Sequence, residues 1–176
     1  MVTERTVDPA PPLVRRTVPS EWSALRELRL RSLRVDPQAF GAALADEERL
    51  GEAHWVERAR RSSTSPTSGQ WVAEAATHGL VGCSVLAEVE GEVHVFAIWV
   101  DPAYRGAGLG GRLLDAALAW GAHAFPGRAF KLEVNPRQAA AVALYESRGF
   151  RRTGGRRPLG HLDGEWRIEM VRPPRG

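Results

Sequence analysis

At 176 residues, with 43% hydrophobic and 26% charged residues, the chain is long enough for one domain with a sizeable core. The formal net charge is +3, but 21 acidic residues offset basic residues that are scattered along the chain, which argues against nucleic-acid binding. One cysteine excludes an internal disulfide, and no apolar run resembles a membrane span or a signal peptide, so we expect a cytoplasmic protein that does not bind membranes.

The N-terminal part of the chain predicts a strand followed by a helix. Residues 1–12 carry three prolines and no periodicity, which indicates a loose tail, and residues 13–18 predict the strand. Ser20 is the expected N-cap of a helix that ends near Asp36. Trp22, Leu25, Leu28 and Leu33 form the apolar face of this helix, and we expect Arg26, Arg29, Arg31 and Arg34 on its solvated side.

A second helix and three strands are predicted next. The helix covers about 52–61 and is anchored by Trp55 and Val56, and residues 62–69 have the composition of an exposed loop. Cys83 lies within a predicted strand, and without a His or acidic pattern around it we interpret it as a packed thiol rather than a nucleophile. The predicted strands, 70–75, 80–89 and 92–100, form an antiparallel meander with Glu90-Gly91 as the second turn.

Residues 100–114, V-D-P-A-Y-R-G-A-G-L-G-G-R-L-L, are the most informative segment of the chain. Glycines let a backbone approach a ligand closely, and the free N–H groups at the start of a helix attract anions. A strand, a glycine loop and a helix in this order therefore predict a cradle for a pyrophosphate. The glycines are Gly106, Gly108, Gly110 and Gly111, and the helix that follows has an apolar face of Leu109, Leu113, Leu114, Ala117, Leu118 and Trp120.

Three other interpretations of the glycine loop remain open at this point. A P-loop is disfavoured because neither Lys nor Ser or Thr follows the glycines. Gly106-x-Gly108-x-x-Gly111 satisfies the dinucleotide fingerprint by letter, but the segment lies mid-chain and Glu133 lies beyond the expected distance of about 20 residues. A glycine-rich turn without a ligand is the third interpretation.

The C-terminal part predicts further alternation of strands and helices. Residues 130–134 alternate in polarity as a strand does, and residues 138–147 form an alanine-rich helix closed by Gly149. Two strands, 150–153 and 166–171, complete the order β-α-α-β-β-β-α-β-α-β-β. We expect an α/β fold with a mixed sheet, a single domain over residues 13–172 and a C-terminal tail at 173–176.

Two blocks of this sequence resemble the GCN5-related N-acetyltransferase (GNAT) superfamily. Arg105-Gly106-Ala107-Gly108-Leu109-Gly110 resembles the family signature R/Q-x-x-G-x-G/A. Residues 132–150, L-E-V-N-P-R-Q-A-A-A-V-A-L-Y-E-S-R-G-F, resemble the segment L-E-V…N-x-x-A-x-x-L-Y-E-x-x-G-F. The predicted element order is similar to that of the family along nearly the whole chain. The resemblance implies a mixed, mostly antiparallel sheet flanked by helices.

The resemblance also implies acetyl-CoA as cosubstrate and no metal ion. In the family, backbone amides of the signature hold the pyrophosphate, and a strand segment pairs with the pantetheine arm. Gln138 departs from the pattern, because the family often has Asn there, and Asn135 lies three residues too early to replace it. The residues assigned to acetyl-CoA in this way are Ile98, Trp99, Val100, Arg105, Gly106, Ala107, Gly108, Leu109, Gly110, Gly111 and Gln138.

Direct transfer of an acetyl group to an amine is the reaction that the resemblance implies. Tyr145 matches the tyrosine proposed as the acid that protonates the departing thiolate. Glu133 matches the glutamate that some members use as base, although Lys131 on the same face of the strand can pair with it. His94 is a second candidate base because an imidazole suits proton transfer at neutral pH, and Glu92 is a third.

The acceptor is not specified by the sequence. The resemblance implies a small-molecule amine or a peptide amine that binds between residues 25–55 and 154–166. The aromatic and polar residues in and around these segments are Trp22, Phe40, Trp55, His161, Asp163 and Trp166. The alternative function is that of a non-catalytic acyl-CoA-binding regulatory module. The sequence also leaves open whether the chain forms a homodimer.

Overall fold

The computed structural model describes residues 10–174, which form seven strands and five helices. The strands are β1 (Leu13–Arg16), β2 (Ser68–Ala75), β3 (Gly79–Val89), β4 (Glu92–Val100), β5 (Phe130–Val134), β6 (Arg151–Pro158) and β7 (Trp166–Arg172). The helices are α1 (Trp22–Val35), α2 (Leu44–Glu48), α3 (Glu52–Thr64), α4 (Leu109–Ala124) and α5 (Ala139–Ser147). Short 3-10 turns lie at Pro19–Glu21, Pro37–Ala39 and Pro102–Tyr104.

The sheet is mixed, as the sequence predicted, and mostly antiparallel, as the family resemblance implied. Its strand order is β1-β2-β3-β4-β5-β7-β6, and β4 with β5 is the one parallel pair among residues 10–174. This pair is parallel because α4 carries the chain back to the starting end of β4 before β5 begins. The turn between β3 and β4 has positive φ at both Glu90 (51°) and Gly91 (78°), as a tight hairpin requires.

Helices cover the sheet on both faces, and each layer has its own core. The larger core packs α4 and α5 on one face, with Leu113, Leu114 and Ala117 fully buried. The other core packs α1 and α3 on the opposite face around Leu28 and Leu33. No helix within residues 10–174 combines the length and apolarity needed to cross a bilayer.

Several boundaries differ from those expected. Ser20 does not cap α1, because the chain makes a 3-10 turn at Pro19–Glu21 before the helix begins. Helix α3 continues to Thr64, into residues expected as a loop, since Ser62 to Thr64 donate their hydroxyls to carbonyls of the preceding turn. Val56 is 40% exposed and does not anchor α3. Residues 1–9 of the expected tail and 175–176 lie outside the described residues.

Two arginines of α1 contradict the expected solvated face. Arg29 and Arg31 turn toward the protein, where Arg29 binds Glu47 and Arg31 donates to the backbone carbonyl of Leu80 at 2.5 Å. A guanidinium at the end of a long aliphatic stem can reach an acceptor beneath the surface while its stem packs on apolar groups. Position on the helical wheel therefore did not predict their environment.

Candidate active site

A cleft opens in the middle of the sheet where β4 and β5 separate. The two strands pair only at Val93 with Phe130 and at His94 with Lys131, and beyond these residues no pairing continues. The edge of β4 that faces β5 therefore presents backbone groups to a cavity of about 950 Å³. An extended ligand can pair with such an edge as an added strand would.

A β-bulge changes the direction of β4 beside this cleft. The register with β3 shifts between Cys83 and Val85, and Ala97 has a φ of 54°, a conformation that residues other than glycine rarely adopt. The Cys83 thiol donates to the Ala97 carbonyl at 3.2 Å. Cys83 is buried, as the sequence predicted, and it holds the bulged backbone from behind.

The glycine loop lies at the end of β4 and leads into α4. Gly106 and Gly108 have φ values of 86° and 74°, and Gly108 is the N-cap of α4. A Cβ atom at either position would meet no protein atom within 4 Å, so backbone conformation rather than space requires glycine there. The free N–H groups of the first turn of α4 adjoin the cavity, and this arrangement fits a pyrophosphate.

Asp36, at the end of α1, connects this loop to β4. Its Oδ2 accepts the indole N–H of Trp99 at 2.7 Å and a guanidinium N–H of Arg105 at 2.5 Å. Arg105 also donates its Nε to the Val100 carbonyl at 2.9 Å. The Arg105 side chain thus fixes the loop to the protein, and the backbone remains available to a ligand.

Most residues assigned to acetyl-CoA by resemblance adjoin the same cavity. Ala107 does not line it, although it lies within the glycine loop, and Leu109 is buried as the first residue of α4. The assigned residues that line the cavity are Ile98, Trp99, Val100, Arg105, Gly106, Gly108, Leu109, Gly110, Gly111 and Gln138.

Tyr145 enters the cavity from α5. Its side chain is 7% exposed and packs edge-on against Phe150, with ring centroids 6.1 Å apart. No hydrogen-bond partner for its hydroxyl exists among residues 10–174, and burial raises the pKa of this phenol above its ordinary value. The group therefore stays protonated at neutral pH and is a proton donor without a partner.

Glu133 lies on β5 with its carboxylate in two ion pairs. Arg167 on β7 contacts Oε2 at 2.7 Å, and Arg157 on β6 contacts Oε1 at 3.2 Å. The sequence had suggested Lys131 as the partner of Glu133, but Lys131 pairs with Glu92 across the junction of β4 and β5 at 2.5 Å. The arginines hold the Glu133 carboxylate beside the cavity in a fixed orientation.

His94 lies at the narrow end of the cleft, where β4 and β5 still pair. Its Nε2 is 3.7 Å from Oε2 of Glu92, and the side chain is 32% exposed. The Lys131 hydrogen bond lowers the pKa of Glu92, which keeps that carboxylate ionised. His94 and Glu133 thus both line the cavity, but Glu133 lies further along its open part.

The two amide residues near the start of α5 have different roles. Gln138 precedes the first residue of α5 and lines the cavity. Asn135 is buried and donates to Glu165 at 2.6 Å and to the Gln38 carbonyl at 3.4 Å, while its Oδ1 accepts the backbone N–H of Arg137. Asn135 therefore joins the end of β5 to two loops and does not face the cavity.

The far wall of the cavity contains charged residues that the sequence did not predict to be part of the site. Arg29 and Arg58 line it from α1 and α3, and both bind Glu47 of α2. Gly41 leaves room for the Arg167 side chain, because a Cβ atom at position 41 would lie 2.6 Å from Nη1 of Arg167. Of the aromatic and polar residues expected near the acceptor, Phe40 lines the cavity, whereas Trp22, Trp55, His161, Asp163 and Trp166 do not.

No three His, Cys, Asp or Glu side chains within the described range 10–174 are grouped as ligands of a metal ion.

Comparison with known proteins gives consistent matches. A family model described as the Acetyltransferase (GNAT) family matches residues 22–150. The chain is 34% identical over 121 residues to the N-alpha-acetyltransferase RimI of Mycobacterium tuberculosis (strain ATCC 25618 / H37Rv), covering 65% of this chain and 73% of the relative. An acetyltransferase of the GNAT family from Streptococcus pneumoniae superposes with a TM-score of 0.77 at 22% identity, covering 93% and 99% of the two chains. The structure of yncA from Salmonella typhimurium with its cofactor acetyl-CoA superposes with a TM-score of 0.72 at 18% identity, covering 95% and 96%.

Proposed function

The chain belongs to the acetyltransferase (GNAT) family and is an acetyl-CoA-dependent N-acetyltransferase, and from this premise we propose how its residues divide the reaction. One observation carries the proposal. The parted strands β4 and β5, the glycine loop and the Tyr145 hydroxyl all adjoin one cavity. A thioester arm along β4 would therefore place its reacting end within reach of the side chains on β5 and α5.

The proposed cosubstrate site follows the backbone. The amides of the glycine loop and of the first turn of α4 receive the pyrophosphate, and the free edge of β4 receives the pantetheine arm. Acetyl-CoA, when bound, supplies the thioester whose acetyl group is transferred. The bulge at Ala97 would present backbone N–H groups of β4 to a bound acetyl group, and an N–H donor in that position would polarise its carbonyl.

We assign the role of acid to Tyr145. The Tyr145 side chain is largely buried and lines the cavity, and burial raises the pKa of a phenol that is already neutral at the pH where the reaction runs, so Oη keeps its proton until the thiolate leaves. Protonation of the departing thiolate by Tyr145 prevents the sulfur from taking the acetyl group back.

We assign the role of base to Glu133, with His94 as the alternative. An ammonium group is not a nucleophile, so a side chain in the cavity has to take up one of its protons. The position of Glu133 favours this assignment, because its carboxylate lies along the open part of the cleft and is oriented by Arg157 and Arg167. His94 lies where the strands still pair, further from the bulge of β4.

The acceptor is proposed to be a primary amine that enters between the α1–α2 connection and the β6–β7 pair. Phe40 and Gly41 line one side of this entrance and Arg157 lines the other. The Mycobacterium tuberculosis relative is named as an N-alpha-acetyltransferase, which supports an α-amine as the reacting group.

Release of CoA from acetyl-CoA in the presence of a panel of primary amines tests this function. We expect turnover with at least one α-amine, and binding of acetyl-CoA measured by calorimetry without any amine. Tight acetyl-CoA binding without turnover for every amine would instead support the non-catalytic module. The pH dependence of kcat/KM, measured for Glu133→Gln and His94→Gln, assigns the base, since only the variant of the true base loses the limb at low pH.

A further inference from the structure

Two guanidinium groups and one carboxylate form a compact group on the wall of the cavity opposite α5. Arg29 donates to Oε1 of Glu47 at 2.9 and 3.2 Å, and Arg58 donates to Oε2 at 3.0 Å. The side chains of Arg29 and Glu47 are only 13% and 10% exposed. We call these three residues the Arg-Glu-Arg group.

Aromatic rings fix both arginines in place. The guanidinium carbon of Arg29 lies 4.6 Å from the centre of the Phe40 ring, and that of Arg58 lies 5.2 Å from the Trp55 ring. Side chains held in this way lose little conformational freedom when they bind a ligand. The group is therefore preorganised.

The Arg-Glu-Arg group has an excess of positive charge. Two arginines share one carboxylate, and among residues 10–174 neither Nη1 of Arg29 nor Nη2 of Arg58 has a hydrogen-bond partner. Burial is the main cause that lowers the pKa of Arg58, and the positive charge of Arg29 lowers it further. The attraction of Glu47 raises this pKa but does not cancel the two effects. A second negative charge would balance the group, and both arginines line the cavity through which such a charge can arrive.

Arg29 and Arg58 lie close to the bulge of β4. A small pocket that both arginines line is also lined by Cys83 and by Ala97 at the bulge. A plain amine acceptor enters this region as an ammonium cation and would be repelled. An acceptor that carries an anion close to its amine would be attracted, and would be oriented with the amine toward the thioester.

A second group of charged residues in the cavity has the same balance of charge. Arg157 and Arg167 share the single carboxylate of Glu133, and Nε of Arg167 is buried without a partner among the described residues. The Arg-Glu-Arg group and the group of Arg157, Glu133 and Arg167 thus each carry one more positive than negative charge, while the Glu169 carboxylate also lines the cavity.

We propose that the acceptor is a small amine with a carboxylate, or another anionic group, a few bonds from its amine, as in an α-amino acid, and that Arg29 and Arg58 bind this anionic group. The proposal rests on the proposed function and names its substrate class. It disfavours a peptide N-terminus, since a peptide has a neutral amide where a free amino acid has its carboxylate.

Matched acceptors test the proposal with the unaltered protein. CoA release is measured with a set of α-amino acids, with the primary carboxamide of each, and with the C-terminal amide of a dipeptide that begins with the same residue. Charged hydrogen bonds to a carboxylate are worth enough that we expect kcat/KM for the acid to exceed that for the carboxamide by about 10- to 100-fold. Equal values for the two, or a preference for the dipeptide, would overturn the proposal while leaving the N-acetyltransferase function intact. No turnover with any amine would reject the proposed function itself.

Variants then assign the preference to the Arg-Glu-Arg group. In Arg58→Gln, we expect the acid-to-carboxamide ratio to fall toward one, and Arg29→Gln provides a second variant should the first fail to fold. Arg60→Gln is the matched control, because Arg60 lies on the same helix, pairs with Glu57 and does not line the cavity. Because each ratio is measured within one variant, a general loss of activity cancels. An unchanged ratio in both folded variants would contradict the assignment.

Discussion

Asp36 shows how a single carboxylate can organise a binding loop. It receives hydrogen bonds from Trp99 of β4 and from Arg105 of the glycine loop, and it ends α1. The loop is thereby positioned relative to both β4 and α1. In the sequence, Asp36-Pro37 indicated only the end of a helix, since nothing local shows which residues 60 to 70 positions away its side chain will contact.

Removal of the Tyr145 hydroxyl tests the acid at the scale of one atom. In Tyr145→Phe, kcat should fall by about 100-fold or more, because a positioned general acid contributes about 10²- to 10⁴-fold. The hydroxyl has no partner among residues 10–174, so the unfolding temperature and the affinity for acetyl-CoA should hardly change. Steady-state kinetics with calorimetric binding separates these effects, and unaltered kcat would show that another group donates the proton.

A pair of glycine substitutions separates cosubstrate binding from backbone strain. Gly108 and Gly127 have nearly equal φ values of 74° and 70°, and a Cβ atom would meet nothing at either, but only Gly108 lines the cavity. Alanine at each position should cost about 1 kcal/mol of stability. The KM for acetyl-CoA should rise in Gly108→Ala alone. A similar rise in Gly127→Ala would mean that strain, rather than contact with the cosubstrate, affects KM.

At the scale of elements, a carboxylate adds to apolar packing in holding α2 to α1 and α3, since Leu44 of α2 also packs against their core. Glu47 of this five-residue helix is buried and binds one arginine from each neighbour. The burial of Glu47 would raise its pKa, but the hydrogen bonds and charges of Arg29 and Arg58 outweigh this and lower it from 4.5. The attachment of α2 is therefore sensitive to acid.

The Glu47→Gln variant should be less stable than the wild type by roughly 3 kcal/mol at neutral pH, because it leaves two half-buried arginines without their carboxylate. A lowered pKa contributes stability that is fully present above the ordinary value of 4.5 and is lost as pH falls through the lowered value. Denaturant unfolding at pH 7 and at stepwise lower pH should show the difference shrinking only below pH 4.5. Glu57→Gln, at an exposed pair on α3, is the control and should change little.

The elements themselves were largely predictable, and the contacts between them were not. Alternating polarity at 130–134 and the glycines after β4 are local signals, and they placed β5 and α4 correctly. The partners of Lys131 and Glu133 depend on which strands lie beside β5, and this is set by the crossover of α4 and the return of β7. The cavity wall formed by Arg29 and Arg58 was missed for the same reason.

For the whole molecule, two separate cores support the two sides of one cleft. The core beneath α4 and α5 carries Tyr145 and the glycine loop, and the core beneath α1 and α3 carries the Arg-Glu-Arg group. Between them, the Ser84 hydroxyl of β3 donates to the Leu113 carbonyl of α4 at 2.9 Å, fully buried. Acetyl-CoA bound in the cleft would contact elements from both layers. Its binding should therefore stabilise the whole domain against unfolding.

The rate at which a reagent labels the buried Cys83 thiol measures this stabilisation. Cys83 is the one cysteine in the chain, and burial raises its pKa to about 11, so a thiol reagent should label it only when the native fold opens. At about 100 times its Kd, acetyl-CoA should slow labelling roughly 100-fold where reclosing outpaces the reagent. Mass spectrometry at pH 8 would follow this, and labelling as fast as in a free peptide would contradict it. The native Cys83 thiol can therefore report how fast the fold opens, without an engineered probe.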